Sequence, residues 1–175
     1  MCITKILLIS LLMGAITVPA VAADNMKLHG ALVKEPCTLQ PGDESVELDF
    51  GTVVDKYLYQ HQRTLSKPFQ LRLTDCDTSL GKALQISFSG TESIALPGLL
   101  ALDGGSEASG IAIGLETQDG QALSLNQQSR GQAITDGNNI ITLLAYVKGE
   151  PNAITNRTIG RGMFTAVVTF NLEYE

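Results

Sequence analysis

Two cysteines, Cys37 and Cys76, and two histidines, His29 and His61, are the side chains in this sequence best suited to bind a metal or to act as nucleophile and base. Their spacing does not favour either chemistry. The cysteines are far apart with no CxxC, and a copper site would need Cys, two His and Met close together. Serine, histidine and aspartate are all present, yet there is no GxSxG elbow and no HExxH pair. His29 alternates with apolar neighbours and is expected to face solvent. His61 lies in the polar stretch Tyr57-Leu58-Tyr59-Gln60-His61-Gln62-Arg63, read as a loop. Tyr57 and Tyr59 are of a type that stacks on sugar rings, and equally of a type that packs against a loop. No catalytic residue, metal ligand or cofactor site is expected, so the chain reads as a non-enzyme. Asn156-Arg157-Thr158 fits the glycosylation pattern and is taken as coincidence.

The cysteines gain a simpler role from the first residues of the chain. Lys5 opens a short basic region, Ile6 to Ile16 is apolar, and Ala20-Val21-Ala22-Ala23 offers small residues for cleavage. Residues 1–23 are therefore expected to be an export signal, cut after Ala22 or Ala23. Cys2 precedes the apolar run and leaves with it. No later stretch approaches the roughly 20 apolar residues needed to cross a membrane as a helix. In an exported chain, the even pair Cys37 and Cys76 reads as a disulfide. The formal charge of −6 becomes −7 once Lys5 is removed. A balance so acidic argues against nucleic acid or an anionic membrane as partner. Residues 24–175 suffice for one domain. With 5% aromatics and no Trp, its core must rest on Leu, Ile and Val.

Apolar residues alternate with polar ones in segment after segment, the period of a half-buried strand. Val46, Leu48 and Phe50 share a face, as do Phe69, Leu71 and Leu73. Leu84, Ile86 and Phe88 follow, then Ile111, Ile113 and Leu115, then Ile141, Leu143, Ala145 and Val147. Turn-rich stretches such as Gln40-Pro41-Gly42-Asp43, Asp119-Gly120 and Asp136-Gly137-Asn138-Asn139 separate them. No 3.6-residue period is sustained over a helical length. An antiparallel β-sandwich of immunoglobulin type is the expected fold. Both ends of the exported chain are extended as well. Met26, Leu28, Gly30 and Leu32 share one face near the start. Phe164, Ala166, Val168, Phe170, Leu172 and Tyr174 share one face of a long strand at the end. Periodicity alone leaves open that these are ordinary sandwich strands.

Four pieces in this order resemble the subunits of chaperone–usher pili, the type 1 and P-pilus pilins of Gram-negative bacteria. They are the N-terminal strand with Gly30 running into Pro36-Cys37-Thr38-Leu39, and the stretch Phe69 to Cys76. Next come Ile86-Ser87-Phe88-Ser89-Gly90 with Gly110 to Leu115 and the Asp119-Gly120 turn, and last the pattern from Gly162 to the penultimate Tyr174. The resemblance covers essentially all of residues 24–175.

The resemblance implies an incomplete immunoglobulin-like sandwich lacking its final strand. A strand lent by a periplasmic chaperone, and then by a neighbouring subunit after passage through an outer-membrane usher, would complete it. It implies a signal at 1–23, a donor extension at 24–36 and a pilin domain at 37–175. Met26, Leu28, Gly30 and Leu32 would be donor residues. Gly162, Phe164, Ala166, Val168, Phe170, Leu172, Tyr174 and the Glu175 carboxylate would form the chaperone and acceptor groove. Export through the periplasm to a surface fimbrium and a role in cell adhesion follow, with no small-molecule substrate. At most seven exported residues precede Gly30, an extension short enough to resemble those of minor tip or adaptor subunits. A terminating, anchoring subunit is the alternative. Family adhesins carry a further receptor-binding domain, for which residues 24–175 leave no room.

Overall fold

Strands form where β-branched and leucine side chains alternate with polar ones, and their inward faces make the core. The computed structural model describes residues 29–175, of which Lys34–Glu175 form one compact unit. In chain order the elements are β1 (Thr38–Leu39), α1 (Asp55–His61), β2 (Lys67–Cys76), β3 (Ala83–Ser89), β4 (Ile111–Thr117), β5 (Ala122–Leu123), β6 (Gln132–Ala133), β7 (Gly137–Gly149), α2 (Pro151–Asn156) and β8 (Thr169–Tyr174). Two antiparallel sheets result. One has the order β1-β2-β7-β4-β5 and the other the order β6-β3-β8. Leu71, Leu73, Ile141, Leu143, Ile113 and Leu115 of the larger sheet meet Leu84, Ile86 and Phe88 of the smaller in a single core. The all-β sandwich expected from the sequence is present.

Cys37 and Cys76 are bonded to each other across 39 positions of sequence. Both sulfur-bearing residues are buried, and the bond ties the start of β1 to the end of β2. Closing a loop of that length stabilises the folded chain by roughly 3–4 kcal/mol on chain-entropy grounds.

Three expectations need correction. The residues from Val46 to Phe50 alternate but belong to no strand. At the C-terminus only Thr169–Tyr174 is a sheet strand, paired with β3, while residues 163–168 lie outside both sheets. In each case the side-chain period is right but no sheet strand lies alongside. Residues 46–50 make no backbone–backbone hydrogen bond among the described residues, and residues 163–165 bond only to the 103–108 loop. The third concerns His61, read as a loop residue, which ends helix α1. Helices of 7 and 6 residues are too short for a 3.6-residue period to register. Burial of Leu58 and Ala153 holds them, and the left-handed residues Gln62 and Arg157 end them. Met26, Leu28 and the expected signal lie outside the described residues. Gly30 and Leu32 are described, are exposed and belong to no strand.

The outer face of the larger sheet is fastened by charge. The Arg63 guanidinium lies 3.5 Å from the centre of the Tyr146 ring. It donates to both carboxylate oxygens of Glu116 at 3.0 and 2.8 Å. Ser66 adds a hydroxyl hydrogen bond to the same carboxylate. The Glu116 side chain is only 9% exposed, so its charge depends on these partners. Hydrogen bonding to Arg63 holds the Glu116 carboxyl below its ordinary value of 4.5, against the opposing effect of burial.

Two outcomes follow. Replacing both Cys37 and Cys76 by serine should lower unfolding free energy by roughly 3–4 kcal/mol in urea titrations. Because the Glu116 pKa is depressed on folding, its contribution is complete above pH 4.5 and is lost as pH falls through the lower folded value. Glu116→Gln should destabilise the protein at pH 7 and flatten that acid limb; an unchanged limb would show that other carboxylates set it.

Candidate functional site: an open groove along the C-terminal segment

The smaller sheet stops at β8, with nothing paired on its far side among the described residues. One edge of the C-terminal segment is met by its own chain on either side of Val167. Asp103 N–H donates to the Thr165 carbonyl at 2.8 Å, and Glu107 N–H donates to that of Met163 at 2.8 Å. The Thr165 N–H donates to Ser106 Oγ at 3.1 Å. From Thr169 the partner becomes β3. At the end, Glu175 N–H donates to Ala83 O at 2.9 Å, and the Glu175 main-chain oxygen accepts from Lys82 and Ala83 N–H at 2.6 and 3.1 Å.

The residues using this edge outside β8, namely Met163, Thr165 and Glu175, are all odd-numbered. Backbone polar groups of an extended chain alternate sides with the same period of two as its side chains. The N–H and C=O groups of Phe164, Ala166, Val168, Phe170, Leu172 and Tyr174 therefore point to the opposite edge. Their side chains point into the sandwich and pack against its core. None of the six is fully buried: the burial of β8 and the residues before it alternates strictly between half-buried and exposed. The inward leucines of β2, by contrast, are at most 1% exposed.

Opposite this edge runs the segment from Ser45 to Thr52. No backbone–backbone hydrogen bond among the described residues involves Val46, Glu47, Leu48 or Phe50. Leu48 and Phe50 are half-buried and lean toward the same core. Between the two segments lies an open groove of about 1120 Å³, floored by Phe69, Phe88, Leu100, Ile113, Leu115 and Ala145. Small-molecule sites typically enclose roughly 300–1,000 Å³. A groove larger than that, with an apolar floor and an unpaired backbone edge on each side, has the form of a seat for an extended polypeptide strand. At the Gly162 end, the rings of Phe50 and Phe164 approach across it, with centroids 6.2 Å apart.

Gly162 fixes where this segment enters. Its φ is +146°, and a Cβ there would collide with the side chain of Glu107. Only glycine lets residues 162–165 lie against the 103–107 loop. Tyr174 closes the other end. It is half-buried, and burial, aided by the Glu35 carboxylate, pushes its phenol above the ordinary value. Gly81 sits against it with no room for a side chain, since a Cβ would stand 2.8 Å from Pro36 and 3.3 Å from Tyr174.

A family model described as "Fimbrial protein" matches residues 26–175. The chain belongs to the fimbrial protein family. It is 29% identical to Fimbria A protein of Serratia marcescens, the match covering 99% of both chains. It is 28% identical to the fimbrial adapter PapK of Escherichia coli over 94% of this chain and 95% of that one. The crystal structure of the P pilus rod subunit PapA superposes with a TM-score of 0.69 at 21% identity, covering 81% of this chain and all of PapA. That likeness gives the fold: an immunoglobulin-like pilin sandwich without its final strand.

The structure gathers Gly162, Phe164, Ala166, Val168 and Phe170 on one wall of the groove. Leu172 and Tyr174 continue the same face of β8 beyond it. Glu175 is tied to its own main chain, and Gln85 donates to its side chain at 2.5 Å. Sequence reasoning missed the opposite wall. The legible signal was there in Val46, Leu48 and Phe50, whose alternation follows a Pro41-Gly42 turn. It also missed the loop carrying Ser106 and Glu107. Tyr57 is stacked on His61 at 4.2 Å, and the Tyr59 hydroxyl accepts from Ile159 N–H at 3.2 Å, so both tyrosines have partners within the domain.

Gly162→Val should destabilise the domain by about 1–3 kcal/mol, as strain at a special φ does. Gly104→Ala, where a Cβ meets nothing within 4 Å, serves as the neutral comparison. Equal midpoints for the two variants in urea would show that the Glu107 contact does not constrain this entry.

Proposed function

We propose that this chain is a structural subunit of a chaperone–usher fimbria that polymerises by accepting a partner's strand into the groove beside residues 162–174. The observation that carries the reading is the coincidence of two open features on the same six residues. Phe164, Ala166, Val168, Phe170, Leu172 and Tyr174 are half-exposed apolar side chains whose backbone edge also lacks a partner. One strand laid along them would satisfy both at once, supplying a hydrogen-bond ladder and apolar cover. Uncovered, such an edge is an aggregation hazard. A periplasmic chaperone is the first occupant in this reading, and the N-terminal extension of another subunit is the second. The usher conducts the exchange at the outer membrane, and the product is a surface fimbrium that supports adhesion.

In the same reading, residues 1–23 are an export signal, 24–36 a donor extension and 37–175 the pilin domain. Met26, Leu28, Gly30 and Leu32 enter a neighbour's groove, each of the three apolar side chains contributing roughly 1.5–3 kcal/mol on burial. Gly30 suits a pocket too shallow for a side chain. The role is structural, with no reaction catalysed and no cofactor bound. Within the fibre, the short extension and the similarity to a fimbrial adapter support a minor tip or adaptor position. A terminating position is the second reading, in which the subunit accepts a strand and passes none on.

Deleting Tyr174 and Glu175 should abolish recovery of a chaperone–subunit complex from the periplasm. A truncated protein that is soluble, monomeric and free of chaperone would defeat the groove reading. A peptide of residues 24–34 should complement at least one sibling subunit of the same fibre. Failure with every sibling would assign the terminating role instead.

A further inference from the structure

The two walls of the groove differ in charge. On the segment before α1, Glu44, Glu47 and Asp49 line the groove and are exposed, while Leu48 and Phe50 between and beside them turn inward. On the facing wall, Met163 to Phe170 carry no charge at all, and Met163, Thr165, Val167 and Thr169 are the exposed residues. No lysine, arginine or histidine lines the groove. The three carboxylates remain free of ion pairs among the described residues. Glu44 accepts from Gly42 N–H at 2.6 Å and Asp49 from Gly51 N–H at 2.7 Å, both within their own turns. Glu47 makes no side-chain hydrogen bond there. Lys67 approaches this wall, but its ammonium donates to the Asp49 carbonyl at 2.7 Å and not to a carboxylate.

A strand seated in the groove buries alternate side chains and holds the intervening ones outward, level with the exposed residues of its neighbours. On one side those neighbours are acidic. We infer that the groove selects a partner strand in which apolar residues alternate with cationic ones, the cations lying outward against Glu47 and Asp49. The inference rests on the strand-accepting reading and adds the chemistry of the accepted strand. Opposite charges on facing positions of adjacent strands contribute favourably, and like charges oppose pairing. The acidic wall thus admits basic strands and rejects acidic ones. Met26-Lys27-Leu28-His29-Gly30 in this chain follows that pattern in part, with the cation Lys27 and the polar His29 at the outward positions between Met26, Leu28 and Gly30. It is therefore a ready probe.

The test offers three peptides of residues 24–34 to the mature chain purified as its chaperone complex and reads binding as chaperone released: the natural one, Lys27→Gln/His29→Gln, and Lys27→Glu/His29→Glu. At low salt the natural peptide should bind about fivefold more tightly than the acidic one, with the neutral one between, since each cross-strand charge pair is weak. The differences should vanish near 0.5 M salt, where the screening length is only a few ångströms. Glu47→Lys/Asp49→Lys in the chain should reverse the order. Glu47→Gln/Asp49→Asn should abolish it, and circular dichroism would verify that both variants fold. Equal affinity of all three peptides would overturn the selection while leaving the groove as a strand acceptor. Binding of the acidic peptide in preference would overturn it as well. Failure of all three to bind would overturn the selection, because the acidic wall should accept the natural strand, and would leave the strand-accepting reading to the chaperone-recovery experiment.

Discussion

The structure depends on a sandwich core with too few strands to cover it. The larger sheet brings β2, β7 and β4 against only β3 and β8, because β6 has just two residues. Apolar area that a further strand would remove from water stays accessible along the C-terminal segment. At about 25 cal/mol per Å², such exposure weighs against the folded state. The domain offsets it elsewhere, with the Cys37–Cys76 bond and with helices and a charged strap that close the other faces. Those fastenings let the domain keep its shape around an incomplete interior.

This arrangement explains why two quite different segments flank the groove. The C-terminal wall is held along one edge by hydrogen bonds, first at Met163 and Thr165 to the 103–108 loop and then from Thr169 to β3. The wall from Ser45 to Thr52 has no such support, and side-chain packing of Leu48 and Phe50 keeps it in place. One wall is a fixed template. The other is attached through its apolar residues and carries the carboxylates.

Much of this was legible in the sequence, because a strand declares its buried face by alternation. Leu71 and Leu73, Leu84 to Phe88 and Ile113 to Leu115 fall where their periods put them. The disulfide follows from a lone cysteine pair in a chain with an export-like start. Alternation reports the face a residue presents and is silent about its backbone partners. Val46 to Phe50 and Phe164 to Val168 therefore look like sheet strands and are not. The loop that satisfies Met163 and Thr165 was invisible, since Ser106 and Glu107 act through contacts 56 to 59 positions distant in sequence. Helix α1 was hidden because seven residues barely complete two turns.

Gly162 and Glu175 also set a phase. The segment is pinned at one end where glycine alone fits against Glu107, and at the other where Lys82 and Ala83 grip the last residue. Between two fixed points an extended chain cannot slide, and a slip of one residue would turn every side chain to the wrong face. The segment is thus a ruler with its zero already marked. Any strand laid beside it is measured against positions the domain has settled in advance, and its register is decided by the host.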